Sequence, residues 1–270
     1  MRTRARNRFV AAWGALGALL LGLDPSAAST EAAALKPATA PVATPAPPPP
    51  LEPEALAQLK AMSDLLKDTA RFTFKATADR EQPSVNGPML DFFSVSQVAV
   101  SRPNQLRVET KGDLHAASLW YDGKMVTIYS LKSSFYGQTA APATIDETVL
   151  MLMDRFQMPL PAAGFLLKDP YSKMMEGVKT AFDAGDAEID GVACRHLAFS
   201  EEDADWQVWV EKGAKPLPRR IAVTYKKIQG APRVVSTLSD WNLSPKIAAG
   251  EFTFSPPAGA KKVDWKTSEK

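Results

Sequence analysis

Cysteine is almost missing from this chain. The only one, Cys194, cannot close an internal disulfide, so the fold must stand on its core rather than on covalent staples. Histidine is as scarce, with His115 and His196 alone, too few for a histidine-built metal site. No run of five or more Lys or Arg follows the opening residues, which argues against docking on phosphate backbones, and no nucleic-acid partner is expected. No apolar run reaches the roughly 20 residues of a membrane-spanning helix. A nucleophile elbow, phosphate loop, zinc-protease helix and calcium loop are all lacking, so no enzyme activity and no cofactor are expected.

What is present begins with Arg2, Arg4, Arg6 and Arg8, an apolar stretch from Phe9 to Leu23, and the small residues Ser26, Ala27 and Ala28. That order is the anatomy of a secretory signal peptide over residues 1–28, cleaved after Ala28 or, at a second small-residue pattern, after Ala34. The expected location is periplasmic, with no transmembrane segment in the mature chain. No Cys lies near the cleavage point to carry a lipid anchor. The net charge of +2 is more than accounted for by this leader, which sets four Arg against Asp24, so the remainder is close to neutral. Residues 29–53 are rich in Ala, Pro and Thr, with four consecutive prolines from Pro47 to Pro50. They read as an extended tether, or alternatively as a ligand for a proline-binding groove. A single domain is expected over residues 54–270.

Within that domain, Leu56, Leu59, Met62, Leu65 and Leu66 recur at helical spacing from Glu54 to Asp68. The period then falls to two: Phe72, Phe74 and Ala76; Leu106 and Val108; Ile221, Val223 and Tyr225, each set alternating with polar neighbours. Asp122-Gly123 between Ser118–Tyr121 and Lys124–Ser130 predicts a two-residue hairpin turn. Helical spacing returns over Ile145–Phe156, opened by a capping box of Thr144 and Glu147, and again over Pro170–Gly177. Strands are expected at Val178–Phe182, Val192–Phe199, Trp206–Glu211, Pro218–Lys227 and Arg233–Trp241. The order predicts a mainly β, α+β domain: one long antiparallel sheet with helices over one face. Neighbouring strands rotate by about 20 to 25°, so a sheet of this width curls into an incomplete barrel, and its apolar concavity needs a filling of helix or ligand, since leaving it wet forfeits about 25 cal/mol per Å².

Ser101-Arg102-Pro103-Asn104-Gln105-Leu106, Tyr121-Asp122-Gly123-Lys124 and Phe252-Thr253-Phe254-Ser255-Pro256-Pro257-Ala258-Gly259 together resemble the periplasmic lipoprotein carriers of the Lol system. Leu119 to Lys124, Thr144-Ile145-Asp146, Gly191 to Phe199, Trp206 to Trp209 and Pro216 to Arg219 resemble more closely a family of predicted periplasmic proteins of unknown function in that superfamily. The resemblance implies a half-barrel with a helical lid over an acyl-chain cavity. It implies that Arg102 hydrogen-bonds the lid shut and that Leu106, with Val108 and Leu119, lines the cavity. Two departures stand out: Leu106 and Val108 replace the aromatics that carriers favour, and the Thr144–Val178 segment differs from their lid. The expected function is a periplasmic binding protein for a lipid-like or acylated ligand, its partner a lipid or an acylated protein. The alternative is an envelope sensor that binds another protein through the same fold.

Cys194 and His196 share a strand face but lack further ligands, so no metal site is expected. Trp120, Trp206, Trp209 and Trp241 fit sheet packing better than sugar stacking. Met151, Met153, Met158, Met174 and Met175 gather in and beside the helical insert, as core or as an adaptable lid.

Overall fold

The computed structural model describes residues 51–156 and 162–264. The expected leader, most of the expected tether, and Met158 lie outside the described residues. The tether's last residues belong to the fold: Leu51 bridges to Ala181, and Pro53 opens helix α1, Pro53–Asp68, where its missing N–H costs nothing.

Twelve strands form one open, curled sheet among the described residues. In chain order they are β1 (Arg71–Pro83), β2 (Met89–Ser101), β3 (Gln105–Gly112), β4 (Ala116–Tyr121), β5 (Met125–Ser130), β6 (Phe135–Ala140), β7 (Thr180–Ile189), β8 (Val192–Ser200), β9 (Ala204–Glu211), β10 (Pro218–Tyr225), β11 (Arg233–Asn242) and β12 (Lys261–Lys262). Helices α2 (Ile145–Arg155), α3 (Ala163–Leu166) and α4 (Pro170–Met174) fall between β6 and β7. In space the strands run β12-β6-β5-β4-β3-β2-β1-β11-β10-β9-β8-β7. Two sequential meanders therefore meet at one seam, β1 against β11. Pairing is antiparallel except for β12, which runs parallel to β6.

Alternation fixes which face is covered. Phe72, Phe74, Val98, Val100, Leu106, Val108, Leu119, Tyr121 and Val126 are in mutual register and buried, and they continue across the seam through Leu238, Val208, Trp206, Leu197 and Phe199. Helix α1 lies over β7, β8 and β9, setting Leu59, Met62 and Leu66 into this core. Ile145, Val149 and Leu152 of α2 enter the same core.

The structure corrects three local expectations. The β4–β5 turn centres on Gly123 and Lys124, because Asp122 N donates to Met125 O at 3.3 Å and Gly123, at φ +95°, takes the first central position. Asp122 instead folds its carboxylate inward to accept from Lys124 N and Met125 N. A Cβ at Gly123 would lie 2.6 Å from Asn104 Nδ2, so the Arg-Pro-Asn and Asp-Gly-Lys segments pack on each other. The strand expected at Val178–Phe182 runs instead over Thr180–Ile189. Its second half is polar, and Arg195 of β8 pairs with both Asp183 and Asp186 across the strands. Finally, Thr144 caps α2 by accepting from Glu147 N at 3.2 Å, while its hydroxyl, rather than its backbone N–H, meets the Glu147 carboxylate.

The free edge at β7 is covered. Glu52 N donates to Ala181 O at 2.9 Å and its carboxylate accepts from Asp183 N at 2.9 Å, removing two groups open to strand addition.

Candidate functional site

Helices α3 and α4 form a short cover, and five groups hold it down. Arg102, just past β2, donates from Nη1 to Leu166 O at 3.0 Å and from Nη2 to Leu167 O at 2.7 Å, its guanidinium also over the Phe72 ring. Burial pushes the Arg102 pKa down, with Asp146 pulling it back up. Asp146, in the first turn of α2, accepts from Lys168 N at 3.0 Å. Lys168 Nζ reaches Lys67 O at 2.6 Å, and Tyr171 N donates to Ser63 Oγ at 2.9 Å, both on α1. Lys67 and Asp169 add an exposed ion pair at 3.6 Å. The cover's backbone polar groups are thus served by Arg102 and by side chains from α1 and α2, as short helices with unsatisfied ends require.

Beneath this cover, against the concave face of β9, β10 and β11, lies a cavity of about 50 Å³. Ala163 and Phe165 form its roof, Met174 its side, and Trp206, Ile221, Val223 and Val234 its walls. Two hydroxyls interrupt these apolar walls. Tyr225 and Ser236 both line the cavity, the two residues are 3% and 1% exposed, and neither hydroxyl has a hydrogen-bond partner among the described residues. Burial drives the Tyr225 pKa well above the ordinary phenol range, and the charge of Arg80 opposes this. Arg80 stands on β1 directly across the seam from Val234.

Trp206 connects this wall to a buried acid. Its Nε1 donates to Glu201 Oε1 at 2.8 Å, and its ring stacks on Phe199 at 3.9 Å. Burial raises Glu201 to about 7; Asp203 and Asp205 push the same way, while the Trp206 hydrogen bond and Lys226 oppose them.

Of the residues singled out from the sequence, Arg102 holds the cover, while Leu106, Val108 and Leu119 lie in the filled core of the β1–β6 meander and do not border the cavity. The residues that do border it, among them Ile221, Val223 and Tyr225, carry only a strand's alternation in the sequence. Nothing local distinguishes a wall of an empty space from a wall of a full one. Cys194 and His196 are each engaged elsewhere. The Cys194 thiol is buried and donates to Val192 O at 3.3 Å, and burial raises its pKa. His196 stacks on Trp209 at 4.2 Å and bonds Gln207. No cluster of three or more metal-binding side chains occurs among the described residues. Trp120 packs beneath Arg107 and against Phe254, and Trp241 stacks on Phe74. Met153 and Met174 are buried, the latter at the cavity.

Residues 55–265 match the family model described as a predicted periplasmic protein (DUF2092). No curated protein matches the chain. Solved structures similar in shape include an uncharacterized conserved protein from Thermus thermophilus (13% identity, TM-score 0.45, covering 78% of this chain and 99% of that one). Lipoprotein LppX from Mycobacterium tuberculosis matches at 12% identity and a TM-score of 0.43, over 73% of this chain and all of that one. A LolA superfamily protein from Nitrosomonas europaea matches at 10% identity and a TM-score of 0.38, over 74% and 97%.

Proposed function

The chain belongs to this family of predicted periplasmic proteins, and from that premise we propose that it is an exported, non-enzymatic binding protein that holds a lipid-like or acylated ligand in the concavity of its half-barrel. The observation that carries the reading is the cavity beneath α3, apolar on most of its walls and closed by a cover whose attachment depends on side chains rather than on sheet pairing. A space of 50 Å³ has room for one or two water-sized groups. An acyl chain therefore enters only when the cover lifts, and each methylene it buries contributes about 0.8 kcal/mol. Arg102 acts as the latch, because its two bonds to Leu166 and Leu167 exist only in the closed state. The leader is removed after Ala28, which intact-mass measurement of the periplasmic protein checks.

Native mass spectrometry of protein purified from the periplasm tests the binding reading, with retained lipid expected. A ligand-free protein that also takes up no fluorescent fatty acid would overturn it. A second reading, an envelope sensor that docks on another protein, draws support from Val85, Leu90, Phe93 and Leu114, which are exposed around the β1–β2 turn. It predicts a co-purified protein in place of lipid.

A further inference from the structure

We propose that the cavity beneath α3 reads the polar end of its ligand, with Tyr225 Oη and Ser236 Oγ donating hydrogen bonds to an acyl carbonyl or carboxylate oxygen. This rests on the binding reading above and goes beyond it by naming the chemistry at one end of the ligand and the two side chains that recognise it.

Buried hydroxyls in folded proteins almost always have partners, because an unpartnered one has surrendered its water for nothing. Two of them, on residues that line one small cavity with Phe165, Trp206, Ile221, Val223 and Val234, have no partner among the described residues and are left for a ligand to meet when the cover lifts and the space widens. Their positions follow from register: Ser236 pairs with Ile221, and Val234 with Val223, two residues before Tyr225 on the same face. Both hydroxyls can donate, and the raised pKa of Tyr225 keeps its proton in place at any physiological pH. Arg80, opposite Val234, contributes positive potential at this end of the cavity, which favours an oxygen bearing negative charge over an ammonium group. The apolar roof and walls then receive the first methylenes of the chain.

The test uses a fluorescent polyene fatty acid, with the saturated fatty acid, its methyl ester and the alkane of equal length as competitors. Wild type should prefer the acid or the ester to the alkane by tenfold or more. An acid that beats its ester identifies a free carboxylate as the ligand end; equal binding identifies an ester carbonyl. Tyr225→Phe and Ser236→Ala should each remove most of that preference while leaving alkane competition unchanged, and Ser236→Thr, which keeps the hydroxyl, should retain it. Equal competition by all three molecules in wild type, or variants that weaken all three alike, would overturn the polar subsite and leave the binding reading standing. Failure of wild type to take up any of them would overturn both.

Discussion

Two buried tyrosines mark the difference between the halves of this sheet. Tyr121 ends β4 in the first meander and Tyr225 ends β10 in the second, both on the concave face. The hydroxyl of Tyr121 donates to Pro142 O at 2.7 Å. That of Tyr225 finds no partner among the described residues, and its residue lines a cavity. Around Tyr121 the concave face is filled and the hydroxyl satisfied; around Tyr225 it holds back both volume and a hydrogen bond. An unfilled space beside unsatisfied donors costs stability in the free protein, and that cost is recovered only by a molecule that supplies the missing atoms.

The contrast can be broken most forcefully in the core. Leu106→Ala, in the filled half, should lose about 2–5 kcal/mol, as large-to-small changes at fully buried sites do. Ile221→Ala, at the half-buried cavity wall, should lose less than about 2 kcal/mol because it enlarges a space that already exists. Urea unfolding of both variants measures the gap, and equal losses would mean that the halves are packed alike.

Next comes pH, which the halves should feel unequally, since Glu201 in the second half is the only acidic residue among the buried described residues. Its folded pKa of about 7 exceeds the ordinary value of 4.5, so the unfolded chain gives up this proton first. Its contribution is therefore intact below about pH 4.5, declines as pH rises to about 7, and is flat above, a fall on the order of 3 kcal/mol. Asp203, Asp205 and Lys226 surround it and carry their own charges, so the informative quantity is the difference between wild type and Glu201→Gln. The glutamine keeps an acceptor for Trp206 and should remove the decline between pH 5 and 7 in a thermal-melt series.

Arg102→Leu should leave far-UV circular dichroism unchanged while costing about 1.5–3 kcal/mol, the worth of hydrogen bonds from a charged donor. It should also shift fatty-acid probe affinity or release at least tenfold. A stability change within about 0.5 kcal/mol with unaltered probe binding would reduce Arg102 to an ordinary surface residue. The smallest effects separate the tyrosines themselves. Tyr121→Phe should cost about 1 kcal/mol by stranding Pro142 O, whereas Tyr225→Phe should be neutral or slightly stabilising in the ligand-free protein. Differential scanning calorimetry of the pair resolves them.

Much of the frame is legible in the sequence because alternation and helical spacing are local signals. Phe72-Thr73-Phe74 and the Leu59, Met62, Leu66 stripe report their buried faces correctly, whereas in Ile221-Ala222-Val223 it is Ala222 that is buried and the two larger side chains are half-buried beside the cavity. Register across the seam is not local. Nothing near Val234 or Ser236 announces β1 as their neighbour, so the cavity they wall, and Arg80 beside it, emerge only in three dimensions. The same holds for hydroxyls: Tyr121 and Tyr225 sit in similar strand ends, and only the distant Pro142 makes one satisfied. Helix α3 is too short to show a period, and the polar end of β7 hides a strand whose charges are paired across to Arg195.

The seam sets the order in which the molecule can be completed. The pairings within β1 to β6 join sequence neighbours and can form as soon as residue 140 is available, whereas the β1–β11 contacts span about 160 residues, as between Thr77 and Thr237. Loop closure of that length is slow compared with hairpin formation. Since β11 supplies Val234 and Ser236, the chamber comes into being only at this final docking. Until then there is no enclosed space for anything to occupy; the enclosure arrives with the last long strand.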